Sequence, residues 1–246
     1  MAKPKIVCII QARFGSSRLP GKVLSHFKNK PMVTHTIERL KKCLNIDLIV
    51  LATTTTAQDK VLVRLAAAER VESFQGSEDD VLDRFFQAAK KYQADIVVRC
   101  TGDCPVIDPS VTDHIIDEHL KNGNDYTSNT VVRTFPRGLD TEVINFNTLE
   151  RVAREAQKPF EREHVTPFIY QHPEQFSIGQ VKAEPAQHQP DLRLTVDTLE
   201  DYELMTKIFE QLYDQNPFFS IDDILNFLKQ QPELSKINRH VQQKAL

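Results

Sequence analysis

Apolar runs that end in polar clusters, each followed by a helical pattern, recur through the first half of the chain. Residues 6–10 (Ile-Val-Cys-Ile-Ile) are apolar and mostly β-branched, which predicts a buried strand. In residues 32–44, Val33, Ile37, Leu40 and Leu44 recur at i, i+4, i+7 and i+11, the spacing of one helical face. Residues 46–52 form a second apolar run that closes in Thr53-Thr54-Thr55-Thr56, and residues 59–69 a second helix with Leu62, Leu65 and Ala66 on one side. A weaker strand at 72–75 leads into Gly76-Ser77-Glu78-Asp79-Asp80. Residues 81–92 follow as a helix with Val81, Leu82, Phe85, Phe86 and Ala89 toward the core, capped by Ser77 or Asp79. A fourth strand, 95–100, stops at Thr101-Gly102-Asp103-Cys104-Pro105.

Strands joined by helical crossovers predict an α/β chain whose mainly parallel sheet is covered on both faces. Such sheets bind ligands outside the carboxyl ends of their strands, where every polar cluster just named falls. The second half predicts helices at 111–122 and 147–157, a short helix from 161 to near 171, and strands at 142–144, 176–181 and 192–197. An irregular stretch begins at Asp125, a helix at 199–213 follows the last strand, and the polar tail 220–246 reads as helical. No linker rich in Pro, Gly or Ser divides the chain. One domain, 1–246, is expected, with an acceptor or dimer subregion at about 125–185.

Composition adds mainly exclusions. With 40% hydrophobic and 26% charged residues the chain is expected to fold as a soluble globule. A net charge of -3 supplies no basic field for nucleic acid. No apolar run approaches the roughly 20 residues of a membrane span. The opening Met1-Ala2-Lys3-Pro4-Lys5 does not resemble a signal peptide, so a cytoplasmic location is expected. The four cysteines include Cys100 and Cys104, whose spacing is not C-x-x-C, so buried thiols are expected rather than a zinc or redox site.

The candidate chemistry starts with Gln11-Ala12-Arg13-Phe14-Gly15-Ser16-Ser17-Arg18-Leu19-Pro20-Gly21-Lys22. The segment matches neither the P-loop nor the G-x-G-x-x-G pattern. Its Arg13, Arg18 and Lys22, with glycine and serine between them, still suit a polyphosphate. Asp103 and Asp197 each close an apolar run, and two such carboxylates suit a hard cation such as Mg²⁺ shared with substrate phosphates. Asp197 could instead cap the helix that follows it. Gly76 and Ser77 are candidates for base or ribose contacts. Arg137 and Asp140 lie in Pro-Arg-Gly-Leu-Asp, and His164 in Glu-Arg-Glu-His; an arginine there could clamp an acceptor anion and the histidine orient a hydroxyl.

The opening loop resembles the signature of sugar cytidylyltransferases, most closely the spore coat polysaccharide biosynthesis protein F group. More distant relatives activate 3-deoxy-manno-octulosonate or acylneuraminate with CTP. The resemblance continues through Gly76–Leu82, Arg99-x-Thr101-Gly102-Asp103-Cys104-Pro105, Pro136-Arg137-Gly138-Leu139-Asp140, Arg162–Pro167 and Leu192–Asp201. It implies a Rossmann-like nucleotide-diphospho-sugar transferase fold, a three-layer sandwich with a mixed, mainly parallel sheet. It also implies that Gln11, Ala12, Arg13, Gly15, Ser16, Arg18, Lys22, Thr53, Gly76, Ser77 and Arg99 bind the nucleotide, with Arg13, Lys22 and Asp103 catalytic. Asp103 and Asp197 would hold Mg²⁺, and Arg137, Asp140 and His164 would face the acceptor. The implied reaction is CMP transfer from CTP to the hydroxyl of an anionic sugar, releasing pyrophosphate, for surface polysaccharide biosynthesis, with a homodimer as the assembly. Two other readings are a glycosyltransferase of the same fold, which Gly-Asp-Cys in place of Asp-x-Asp disfavours, and a catalytically silent binding protein.

Overall fold

The first apolar run becomes β1 (Ile6–Gln11), the middle of a parallel group of strands, with its first five residues buried. The computed structural model describes residues 3–16 and 18–243. After the opening loop come a hairpin of β2 (His26–Phe27) and β3 (Lys30–Pro31), then α1 (Met32–Leu40). The hairpin turns through Lys28 and Asn29, both at positive φ, as a two-residue loop matching strand twist requires. β4 (Leu48–Thr54), α2 (Lys60–Ala68), β5 (Glu72–Gly76), α3 (Val81–Lys91), β6 (Ile96–Thr101) and α4 (Pro109–Asn122) complete the alternating half. β7 (Tyr126–Ser128), β8 (Glu142–Asn145), α5 (Phe146–Glu155), α6 (Pro159–His164), α7 (Pro167–Gln171), β9 (Ile178–Gln180), α8 (Leu199–Leu212) and α9 (Ile221–Gln230) follow.

The seven-stranded sheet has the order β5-β4-β1-β6-β8-β7-β9. β8 is antiparallel to both of its neighbours, and the other pairs are parallel. Because side chains alternate across a strand, Ile6, Cys8 and Ile10 enter one core while Val7 and Ile9 enter the other. The first core packs under α1, α2, α4, α8 and α9, the second under α3, α5 and α7. The sheet thus lies between two helical layers, the expected three-layer α/β arrangement.

Several elements differ from the sequence reading. α1 stops at Leu40, and Leu44 is 88% exposed, because the chain turns at 41–43 to reach β4. The cap of α3 is Asp80, whose side chain accepts from Asp83 N–H, while Ser77 Oγ accepts from Asp80 N–H. The helix expected from 161 to 171 is two helices, broken at Val165, where φ is +73°. Residues 192–197 are extended, yet their ladder is one bridge, Arg193 to Arg137, so they form no sheet strand. Asp197 does not cap α8; Thr198 does, accepting from Asp201 N–H. The tail holds α9 and a 3-10 turn at Leu234–Lys236 rather than continuous helix, and residues 244–246 lie outside the described residues. All four cysteines are buried and free.

Candidate active site

Strand order reverses between β1 and β6: the chain leaves β1 toward β4 on one side and returns to β6 on the other. Open α/β sheets hold ligands at such a reversal, at the carboxyl ends of the two strands. The loops leaving these strands touch, since Gly102 N–H donates to the Gln11 carbonyl at 2.9 Å.

In the opening loop Gly21 has φ +71°, a left-handed conformation that favours glycine, and it starts a 3-10 turn, Lys22–Leu24, in which Lys22 is buried. The Lys22 ammonium donates to Asp103 Oδ2 at 2.8 Å, to Asp197 Oδ1 at 2.7 Å and to the Val196 carbonyl at 2.8 Å. Three segments far apart in sequence therefore meet on one nitrogen. Asp103 sits on the turn after β6, where Thr101 Oγ1 donates to its Oδ1 at 2.6 Å. Asp197 ends the 192–197 segment, which is stitched to two loops. Leu194 N–H donates to the Arg137 carbonyl at 2.7 Å and Val196 N–H to the Asp103 carbonyl at 3.0 Å. Gly138 permits this approach: at φ +105°, a Cβ there would lie 2.4 Å from the Leu194 carbonyl oxygen.

Asp197 also meets Arg18 Nη2 at 2.9 Å and Arg193 Nη2 at 3.2 Å. Arg193 is in turn held by both oxygens of Asp201, at 3.1 and 3.2 Å. Burial opposes the charge on Lys22, but Asp103 and Asp197 outweigh it and hold its pKa up at about 12. Burial likewise pushes Asp103 up, yet the Lys22 charge and hydrogen bond bring it down to about 2. Both groups are therefore ionised at neutral pH.

The other candidates on this side are distributed over the ends of β1, β4, β5 and β6. Arg13 is half-exposed, 3.6 Å from Glu78. Ala12 is buried; Gly15 and Ser16 continue the loop, and Ser17 lies outside the described residues. Thr53 is fully buried, its hydroxyl donating to Asp59 at 2.8 Å. Gly76 ends β5, and the Ser77 carbonyl accepts from Arg84 Nη1 at 2.7 Å. Arg99 points into the second helical layer, where it pairs with Glu142 and donates to Gln11 Oε1 at 3.1 Å.

On the acceptor side, Asp140 is clasped bidentately by Arg133 at 2.7 and 2.9 Å. The Arg137 guanidinium makes no hydrogen bond or ion pair among the described residues, and burial together with Arg133 lowers its pKa. His164 ends α6 and is half-buried. Two residues on, Thr166 donates to Glu142 Oε1 at 2.7 Å, the oxygen that also accepts from Tyr126 at 2.6 Å.

Sequence reasoning missed Asp59, Arg84, Glu142 and Arg193. Asp59 reads as the start of a helix, and only its place just after four threonines marks it. Arg193 leaves a trace, as a charge inside the apolar alternation Leu192-Arg193-Leu194-Thr195-Val196.

The carboxylate pair suits a hard divalent cation. It offers oxygen donors from two segments and already draws a cation, the Lys22 ammonium, onto both. No cluster of three or more His, Cys, Asp or Glu ligands occurs among the described residues. Remaining positions would fall to phosphate and water, as Mg²⁺ prefers.

A mainly parallel sheet with a cationic loop after β1, one carboxylate on the turn after β6 and a second brought beside it by the 192–197 segment is the setting of a nucleotidyltransferase. Residues 7–231 match the family model described as cytidylyltransferase, and the chain belongs to that family. It is 33% identical over 233 residues to spore coat polysaccharide biosynthesis protein SpsF of Bacillus subtilis, covering 93% of this chain and 95% of that protein. A solved cytidylyltransferase structure from Leptospira borgpetersenii superposes with a TM-score of 0.90 at 33% identity, over 99% of this chain and 100% of the other. The structure of CMP:2-keto-3-deoxy-manno-octonic acid synthetase complexed with CTP shares the fold, with a TM-score of 0.65 at 20% identity over 84% of this chain and 99% of that one.

Proposed function

We propose that the chain transfers CMP from CTP to the hydroxyl of an anionic sugar, a sugar acid or a close relative, with release of pyrophosphate. The observation carrying this reading is the convergence of Asp103 and Asp197 on Lys22 beside the carboxyl ends of β1 and β6. Arg13 and Arg18 hold the triphosphate and stabilise the charge that builds on the leaving pyrophosphate, and Lys22 joins them by exchanging one of its three present acceptors for a phosphate oxygen. Gln11, Ala12, Gly76 and Ser77 supply the base and ribose side, and Thr53, fully buried with its hydroxyl on Asp59, supports them from behind. The Arg137 guanidinium, without a partner among the described residues and one hydrogen-bonded segment from Asp103, binds the acceptor anion and points its hydroxyl at the α-phosphorus. That oxygen forms the new P–O bond and gives up its proton to solvent, as the bond from the α-phosphorus to the bridging oxygen breaks and pyrophosphate leaves with the electron pair. Asp103 and Asp197 would hold Mg²⁺, which when bound neutralises charge on the α-phosphate.

The role of His164, the homodimer, the cytoplasmic location and a place in surface polysaccharide synthesis belong to the same proposal. The match to a spore coat polysaccharide biosynthesis protein supports the last of these. No helix among the described residues is long and apolar enough to cross a membrane. The test is pyrophosphate release from CTP with Mg²⁺ and a panel of sugar acids. Asp103→Asn is expected to lose about 10²-fold or more in kcat, on the scale of removing one electrostatic stabiliser. Wild-type turnover in that variant would overturn the assignment.

A further inference from the structure

Asp59 is an acid in an unusual place. It stands immediately before α2, where an aspartate ordinarily caps the helix, yet its side chain makes no capping bond. Its carboxylate is 1% exposed and turns the other way. Oδ1 accepts from the Phe14 N–H at 2.8 Å. Oδ2 accepts from the Thr53 hydroxyl at 2.8 Å, the Thr54 N–H at 3.0 Å and the Thr54 hydroxyl at 2.6 Å. Burial pushes its pKa up, but the bonds from Thr54, Phe14 and Thr53 prevail and hold it below the usual carboxylate range. The group is thus a buried anion satisfied entirely by donors from two strand ends.

An anion beside a polyphosphate site opposes binding by its charge, so its contribution has to come through geometry. One oxygen holds the residue next to Arg13, and the other holds the last residues of β4. The backbone adds a parallel tie, Ala12 N–H to the Ala52 carbonyl at 3.1 Å. We propose that Asp59 is a positioning residue for the nucleotide: it fixes the opening loop to the end of β4 and so sets where Arg13 meets the triphosphate. This rests on the opening loop being the triphosphate loop. Asp59 itself touches no substrate.

Asp59→Asn separates the two roles of the carboxylate. The amide oxygen keeps the Phe14 bond, but the NH₂ group cannot accept from the Thr54 N–H, and the Thr53 and Thr54 hydroxyls must turn round to accept from it. The expected result is CTP binding weakened about tenfold or more in titration calorimetry, with a KM for CTP raised by more than kcat falls. Tryptic cleavage after Arg13 and Arg18 without nucleotide is expected to accelerate in parallel. Thr54→Val, which removes a single donor, is expected to move every readout the same way by less, and it carries the test if the asparagine variant does not fold. Unchanged CTP affinity and unchanged loop cleavage in folded variants, beside a wild type that binds CTP, would overturn the positioning role alone. A wild type that fails to bind CTP would overturn it together with the nucleotide reading.

Discussion

Replacing Lys22 by methionine keeps the length of the side chain and removes the charge on which two carboxylates converge. Lys22, Asp103 and Asp197 side chains are 10%, 25% and 13% exposed, so solvent screens their interaction weakly. Asp103 is brought from an ordinary 3.8 to about 2, which corresponds to roughly 2 kcal/mol. Lys22 is raised from 10.5 to about 12, a similar amount, and this is the same interaction seen from its other end. Removing one member of a buried pair also strands its partners, which brings typical losses to about 3–5 kcal/mol. Arg18 and Arg193 remain on Asp197, so the lower figure applies. Lys22→Met is therefore expected to lose about 3 kcal/mol at pH 7, a fall in Tm of about 6–12 °C for a chain of this size.

The loss has a pH signature. The lowered Asp103 contributes stability above its unfolded pKa and loses it as pH falls from about 4 toward 2. The raised Lys22 contributes below its unfolded pKa and loses it as pH rises from about 10.5 toward 12. The deficit of the variant should be flat from about pH 5 to pH 10 and shrink beyond either end. Urea titrations across that range, without divalent cations, measure it. A variant within about 0.5 kcal/mol of the wild type at pH 7, the ordinary scatter of surface substitutions, would refute the reasoning.

Gly138→Ala should destabilise by about 2 kcal/mol or more, since it combines a disallowed φ with a backbone clash at Leu194; equilibrium unfolding measures it, and a neutral result would mean that the two segments separate freely. Burial holds both His35 and His119 below their ordinary pKa, His35 donating from Nε2 to the Phe27 carbonyl and His119 set between Thr127 and Asn145. The unfolded chain binds the extra protons, so stability is full above about pH 6.5 and falls as pH drops below it, with a urea midpoint lower at pH 5.5 than at pH 7.5. Equal midpoints would contradict the burial of neutral imidazoles.

The fold was legible where periodicity and position agreed. The runs that became β1, β4 and β6 are apolar on both faces, which only a covered parallel strand requires, and each polar cluster after them lies at a carboxyl end. Asp103, Asp197 and Lys22 stood out by residue type and setting, and the structure brings the three side chains together. The extended 192–197 segment misled for a physical reason. Its alternation reflects packing into the first core through Leu194 and Val196, whereas its backbone bonds go to Arg137 and Asp103 instead of a neighbouring strand. The buried polar anchors were not legible, because Asp59, Arg84 and Glu142 look like surface charges until their partners arrive from elsewhere. Leu44 shows the converse error: an apolar residue in helical register lies past the helix end and faces water.

The Lys22 junction also has a place in time. Its two carboxylates follow it by 81 and 175 residues, so chain synthesis exposes the lysine long before either partner exists. Contacts of such long sequence separation pay their loop-closure entropy late in folding. The strands at the centre of the sheet can pair while this corner is still open. Completion of the lysine bridge therefore waits until Asp197 has been made, and the capacity to hold a nucleotide should be acquired late in folding.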